Sequence, residues 1–286
     1  MRGFYGDAIT RGTGRDTGRG TGMILGWDVG GVNTKAVRID RGGDAPPPTA
    51  ARAYEIQRDP SRLSSILRAV RGDLGDGRVE AHAITMTAEL SQAFRTKREG
   101  VSFVLDAFAD AFPATPLEVF AVGGLFVSPD RARSEPLTVA ASNWYATAAL
   151  VGRSVPDALL IDIGTTTTDI IPIAGGVPVA AGRTDPERLA SGELVYTGAL
   201  RTPAEAVARA LPFRGGEASI AADGFALIGD AHLHLGRLHA DEYSVATVDG
   251  RPVTREFAGE RLARLICGDR DLLTDAEIDA LAAALV

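Results

Sequence analysis

Two short stretches of this 286-residue chain hold the side chains best suited to chemistry. In residues 159–173 (LLIDIGTTTTDIIPI) an apolar run ends in Asp-x-Gly, crosses four hydroxyls and resumes as a second apolar run. Residues 24–40 (ILGWDVGGVNTKAVRID) repeat the plan. Asp28 and Asp162 offer hard oxygens to a cation. Gly30, Asn33 and Thr34 in one copy, and Gly164, Thr165, Thr166 and Thr167 in the other, offer N–H and O–H donors. Acidic oxygens beside a row of donors are the equipment for holding a phosphate chain with Mg²⁺. A single Asp-x-Gly bend is as readily an ordinary turn. Duplication with matched polar content argues instead for two similar lobes facing one another across a cleft.

The elements around these bends follow from hydrophobic pattern. Each motif reads as a hairpin of buried strands, because Ile-rich runs bounded by a turn signal are core strands. After the first hairpin, residues 42–49 (GGDAPPPT) form a loop and residues 51–56 a third strand. Asp59-Pro60-Ser61 opens a helix with Leu63, Ile66, Leu67 and Val70 on one face. Residues 79–87 form a strand aimed at Glu89, in which His82 is a strand residue with a satisfied ring. Phe103, Val104, Ala107, Phe108 and Phe112 mark a helix ending at Pro113. A strand over 117–122, then Ser142-Asn143-Trp144-Tyr145 leading into an Ala-rich helix up to Arg153, complete an α/β lobe with a mixed sheet. The second lobe carries the second hairpin, a sheet extension over 177–181 and polar loops at 196–198 and 201–203. Its helices are expected over 222–238, 254–267 and 274–286. His232 and His234, two apart on a helix, point in different directions, which argues against a metal site there.

Composition narrows the function classes. With 45% hydrophobic and 23% charged residues the chain has the make-up of an ordinary soluble globular protein. Its net charge of −7 excludes a general nucleic-acid binder, which needs a basic face. No apolar run reaches the ~18 residues of a membrane span. Residues 1–22, rich in Gly, Arg and Thr, lack the apolar core of a secretory signal and are expected to be a disordered extension, with Met23 the natural start. The lone Cys267 is expected to be a buried apolar filler, in a chain of the reducing cytoplasm.

The paired hairpins GWDVGGVNTKAVRI and LLIDIGTTTTDIIPI resemble the two phosphate motifs of the superfamily of actin, sugar kinases and heat-shock ATPases (ASKHA). The wider set of segments is similar to its hydantoinase/oxoprolinase branch. MTAELSQAF followed by Lys97-Arg98-Glu99-Gly100-Val101, SNWYATAALVGR, YTGALRTP and GDAHLHLGRLHADEY resemble a smaller family within that branch, linked to tetrahydromethanopterin-dependent one-carbon metabolism. The resemblance runs from about Met23 to about Leu273. It implies a two-lobed actin-like (ribonuclease H-like) α/β fold with a central cleft. Lobe I would span 23–155 and lobe II 156–286. Relatives usually continue into a Gly-rich turn and a terminal helix, so the C-terminal part is expected to be shortened and the adenosine pocket incomplete.

The same resemblance implies a transferase of methylofuran biosynthesis. A tyramine- or tyrosine-derived phenol attacks the furylmethyl carbon of an aminomethylfuran diphosphate, an aryl ether forms and diphosphate leaves. Stabilising the leaving group is then the main catalytic requirement. Asp28 and Asp162 would hold Mg²⁺ directly or through waters. Gly30, Asn33, Thr34 and Gly164 to Thr167 would cradle the diphosphate. Lys35 is either a point charge on the leaving group or an outward strand residue. Glu89 is a base towards the phenol, an anchor for the substrate ammonium, or an acid at a helix N-terminus. Asn143 and Trp144 border the acceptor pocket, unless Trp144 packs between lobes, and Arg201 binds an acceptor carboxylate. Two competing classes stay open: an ATP-dependent kinase or oxoprolinase-type amidohydrolase, and a non-enzymatic nucleotide sensor or scaffold.

Overall fold

The structure is a computed structural model that describes residues 22–40 and 46–286. The N-terminal extension up to residue 21 and part of the loop after the first hairpin lie outside the described residues. The chain divides into two compact units, one of residues up to 160 with 171–188, the other of 161–170 with 189–286.

The first unit is built on a six-stranded mixed sheet. β1 (Met23–Val29) pairs antiparallel with β2 (Asn33–Asp40), which in turn pairs with β3 (Thr49–Ala53). On its other side β1 runs parallel to β4 (Val79–Met86), followed by parallel β5 (Leu117–Ala121) and antiparallel β6 (Leu125–Val127). α1 (Leu63–Asp73) buries Leu63, Ile66, Leu67 and Val70, the face expected from their spacing. α2 (Lys97–Ala111) starts earlier than its apolar stripe indicates. Thr96 caps it by accepting from the Glu99 N–H, and Glu99 reaches back to the Arg95 N–H. These helices and the sheet enclose a core that includes Trp27, Phe108 and Leu105. Burying each such side chain stabilises the fold by about 1.5–3 kcal/mol. His82 lies inside this core, accepting from the Trp27 indole N–H at 2.9 Å and stacked on Phe112. Burial pushes its imidazole down to about 4. Two short helices, α3 (Pro129–Ser134) and α4 (Pro136–Val139), precede α5 (Asn143–Gly152).

The second hairpin joins β7 (Ala158–Ile163) to β8 (Thr168–Ala174), with β9 (Val177–Pro178) and β10 (Leu194–Val195) also pairing with β8. β7 departs from the expectation of a buried strand. It is the end strand of its ladder, and Leu159, Ile161 and Ile163 are each more than half exposed. Alternating along the strand, the three share one face of the ladder, and that face is open.

After α6 (Asp185–Ser191) the second unit adds a hairpin absent from the sequence reading: β11 (Ala210–Phe213) and β12 (Gly216–Ser219). Arg214 and Gly215 both hold positive φ, the geometry of a tight hairpin turn, and the Arg-Gly-Gly run was its signal. The helix expected over 222–238 is only α7 (Ile228–His234). Gly224 and Gly236 sit at φ +66° and +69°, outside the helical region on either side. α8 (Arg255–Arg264) and α9 (Asp275–Ala283) pack with α7 around Leu262, Ile278 and Leu281. Cys267 is exposed and not a core filler. It stands at φ +55° just past α8, where the Gly268 N–H bonds back to the Ala263 carbonyl, and the reversed backbone turns its side chain outward.

Candidate active site

The two Asp-x-Gly bends share one backbone design. In the first unit the Gly30 N–H donates to the Asn33 carbonyl at 2.9 Å; in the second the Gly164 N–H donates to the Thr167 carbonyl at 2.8 Å. A Cβ on Gly30 would lie 2.8 Å from that Asn33 oxygen, so the close approach requires glycine. Each bend is then strapped by a later segment. The Ile56 and Tyr54 amides donate to the carbonyls of Gly31 and Val32. The Ala199 amide donates to the Gly164 carbonyl, and those of Leu200 and Arg201 to Thr165. The bends' carbonyls are thus consumed, while the amides of Gly31, Val32, Thr165 and Thr166 have no hydrogen-bond partner among the described residues. Successive free N–H groups at a bend form an anion-binding concavity.

Asp28 lies at the carboxyl end of β1, with Lys35 of β2 directly across and Thr85 of β4 on its other side. Ligand sites in sheets of this kind gather at the carboxyl ends of parallel strands. Asp28 Oδ1 is buried without a hydrogen-bond partner. Burial raises its pKa against the pull of the exposed Lys35. An orphaned hard oxygen of this kind fits Mg²⁺, which takes one or two carboxylates and completes its shell with water and phosphate oxygens. Among the described residues no three His, Cys, Asp or Glu side chains gather into a metal cluster. Asp162 is exposed on β7 in the second unit.

Thr34 is corrected by the register. It pairs with Val29, not with Asp28, and shares the buried face; its side chain is 0% exposed. The strand alternation that presents Asp28 and Lys35 therefore turns the Thr34 hydroxyl into the core. Trp144 is likewise no stacking surface. Its indole is buried under the Arg188 guanidinium, 4.0 Å from the ring, beside Val122 and Ile173. Asn143, one residue earlier, is half-buried at the start of α5. In the second unit Arg201 is exposed beside the Thr165–Thr166 bend.

Glu89 follows β4 in a short 3-10 turn, 2% exposed, with neither carboxylate oxygen hydrogen-bonded. Two features hold it there. Gly100 of α2 packs so closely that a Cβ would lie 2.6 Å from Glu89 Cα. Ala141, held at φ +49°, turns its N–H towards the carboxylate without completing a hydrogen bond. Burial pushes the acid up to about 8, against the opposing pull of nearby N–H groups and Lys97, while Asp185 adds to the rise. Lys97 and Asp185 form a part-buried ion pair at 2.7 Å. The sequence reading missed both, although Lys97 stands in a segment it singled out.

Known proteins resemble this chain as follows. A synthase of Methanocaldococcus jannaschii, whose name describes (4-{4-[2-(gamma-L-glutamylamino)ethyl]phenoxymethyl}furan-2-yl)methanamine as product, is 37% identical over 90% of this chain and 75% of its own length. A protein of the same name from Methanococcus vannielii is 38% identical over 39% of this chain and 50% of its own. The nucleotide-free acetone carboxylase structure aligns over 92% of this chain and 61% of that one, at 13% identity and a TM-score of 0.49. The hydantoinase/oxoprolinase family model matches residues 80–285. The chain belongs to the hydantoinase/oxoprolinase family.

Proposed function

We propose that this protein is a transferase of methylofuran biosynthesis, joining a furylmethyl diphosphate to a tyramine- or tyrosine-derived phenol. The observation that carries the reading is the 37% identity across nine-tenths of the chain to a synthase whose named product has a phenoxymethyl link to a furan. The paired, strapped bends support it, since their unpartnered amides suit phosphoryl oxygens. The reading includes the two-lobed actin-like arrangement implied by the two hairpins, action in the cytoplasm and small-molecule substrates.

In the proposed reaction the phenol oxygen forms a bond to the furylmethyl carbon. The carbon–oxygen bond to diphosphate breaks, and its electron pair leaves with diphosphate. The phenolic proton passes to Glu89. An acid lifted to about 8 is a better match than an ordinary carboxylate for a phenol that titrates near ~10. The amides of Gly31, Val32, Thr165 and Thr166 stabilise charge on the leaving group. Such preorganised donors are each worth about 3–4 kcal/mol in comparable sites. Asp28 and Asp162 are the residues proposed to hold Mg²⁺. That ion, when bound, supplies charge neutralisation at diphosphate. Lys35, cross-strand from Asp28, adds a positive charge at the same strand ends.

The test is incubation with an aminomethylfuran diphosphate, the phenolic acceptor and Mg²⁺. Diphosphate and aryl ether should appear together in equal amounts. The family match favours one second reading, an ATP-dependent amidohydrolase of the hydantoinase/oxoprolinase type. ATP hydrolysis without ether formation would establish that reading and remove the first.

A further inference from the structure

Residues 196–203 are neither strand nor helix, in keeping with the polar loops expected at 196–198 and 201–203. They form a strap laid across the second bend. Besides the amides of Ala199, Leu200 and Arg201 on the bend's carbonyls, the Thr168 hydroxyl donates to the Thr197 carbonyl at 2.7 Å. Gly198 lies against the bend so tightly that a Cβ would stand 2.6 Å from backbone atoms of Thr166 and 2.7 Å from the Gly164 oxygen. Thr202, buried, closes the strap on itself: its hydroxyl accepts from the Gly198 N–H at 2.8 Å and donates to the Gly198 carbonyl at 3.2 Å. The strap's outer end is tied to the start of α7 by the Ile228 amide on the Thr202 carbonyl and the Gly229 amide on the Leu200 carbonyl.

This places Arg201 where no acceptor pocket is needed to explain it. Its N–H is 2.9 Å from the Thr165 carbonyl, on the residue whose own amide is free. Its side chain is exposed and has no hydrogen-bond or ion-pair partner among the described residues. Its guanidinium, unpaired and within one side-chain length of a bend whose Thr165 and Thr166 amides are free, carries the planar fork that takes phosphoryl oxygens bidentately.

We propose that Arg201 is a phosphoryl-binding residue of the second bend, with Gly198 and Thr202 as the positioning residues that hold the bend's amides and the guanidinium in one frame. The ligand is the diphosphate group itself, and only its status as leaving group rests on the function proposed above. In place of the expected contact to an acceptor carboxylate, Arg201 then serves the donor half of the reaction.

The experiment is titration of the full chain with inorganic pyrophosphate in magnesium buffer, followed by calorimetry, for wild type, Arg201→Ala, Gly198→Ala, Thr202→Val and Thr202→Ser. Arg201→Ala should weaken pyrophosphate about 10- to 100-fold, the loss of one charge-assisted contact, and leave the affinity for a γ-glutamyl-tyramine acceptor unchanged. Thr202→Val should weaken pyrophosphate, and Thr202→Ser should restore it; circular dichroism confirms that each variant folds. Gly198→Ala should match Thr202→Val or exceed it. Unchanged pyrophosphate affinity in Arg201→Ala, or loss of acceptor affinity instead, overturns the inference while ether formation still stands. The expected losses in a protein that forms no ether would sink the transferase reading alone. Wild type that fails to bind pyrophosphate overturns the inference outright.

Discussion

Glu89 gives the sharpest test of the physical account, because its burial ties stability to pH. Its carboxyl titrates at about 8 in the folded protein against an ordinary 4.5. Below pH 4.5 the folded and unfolded chains both hold the proton and the full contribution is present. As pH rises the unfolded chain releases the proton and the folded one keeps it, so stability falls until the folded acid also ionises near 8. Each pH unit in that window costs about 1.4 kcal/mol, and the two units from pH 5 to pH 7 about 3 kcal/mol. Glu89→Gln keeps the shape and removes the titration. Any packing cost of the amide is the same at every pH, so it cancels in the comparison. Urea unfolding of wild type and Glu89→Gln at pH 5, 6 and 7 should show wild type losing about 3 kcal/mol relative to the variant. Parallel pH curves for the two proteins would mean that Glu89 is already ionised when folded, and the argument from burial would be refuted. In turnover assays the same group, acting as a base, should make activity rise with pH through about 8.

Asp28→Asn should cut diphosphate release about 100- to 1,000-fold with the circular dichroism spectrum unchanged, because it replaces the carboxylate at the end of β1 by a neutral amide. Gly100→Ala should destabilise by about 1–3 kcal/mol in urea unfolding, since its Cβ would meet Glu89 Cα at 2.6 Å and Glu89 O at 2.7 Å; full stability would show that α2 can shift freely. Arg261→Met should cost about 3–5 kcal/mol. It strands the fully buried Asp230, which Arg261 contacts at 2.8 Å and Tyr243 at 3.0 Å. Cys267 should react fully with a maleimide in the native protein, and protection from labelling would contradict its outward position.

Much of the first unit and the bend of the second were legible before the structure, because their signals are local. The stripe Leu63, Ile66, Leu67 and Val70, the strand running into Glu89, and both Asp-x-Gly bends depend on periodicity and on one turn residue each. Element ends were less legible. Gly224 and Gly236 adopt the left-handed backbone that shortens α7, a freedom glycine has but apolar periodicity does not announce. Side-chain roles were the least legible. Thr34 and Lys35 are neighbours in sequence, yet the pairing of β2 with β1 buries one and exposes the other. Trp144 looks like a ligand platform until Arg188, distant in the chain, covers it.

Residue types and short spacings alone reveal two acidic, donor-rich bends and the family they belong to. Folding is what consumes some of the bends' carbonyls and leaves some amides without a partner, encloses Glu89 between Gly100 and Ala141, and ties the Arg201 backbone to Thr165. Each of those depends on segments far apart in the chain meeting within a few ångströms, and no local pattern encodes such a meeting.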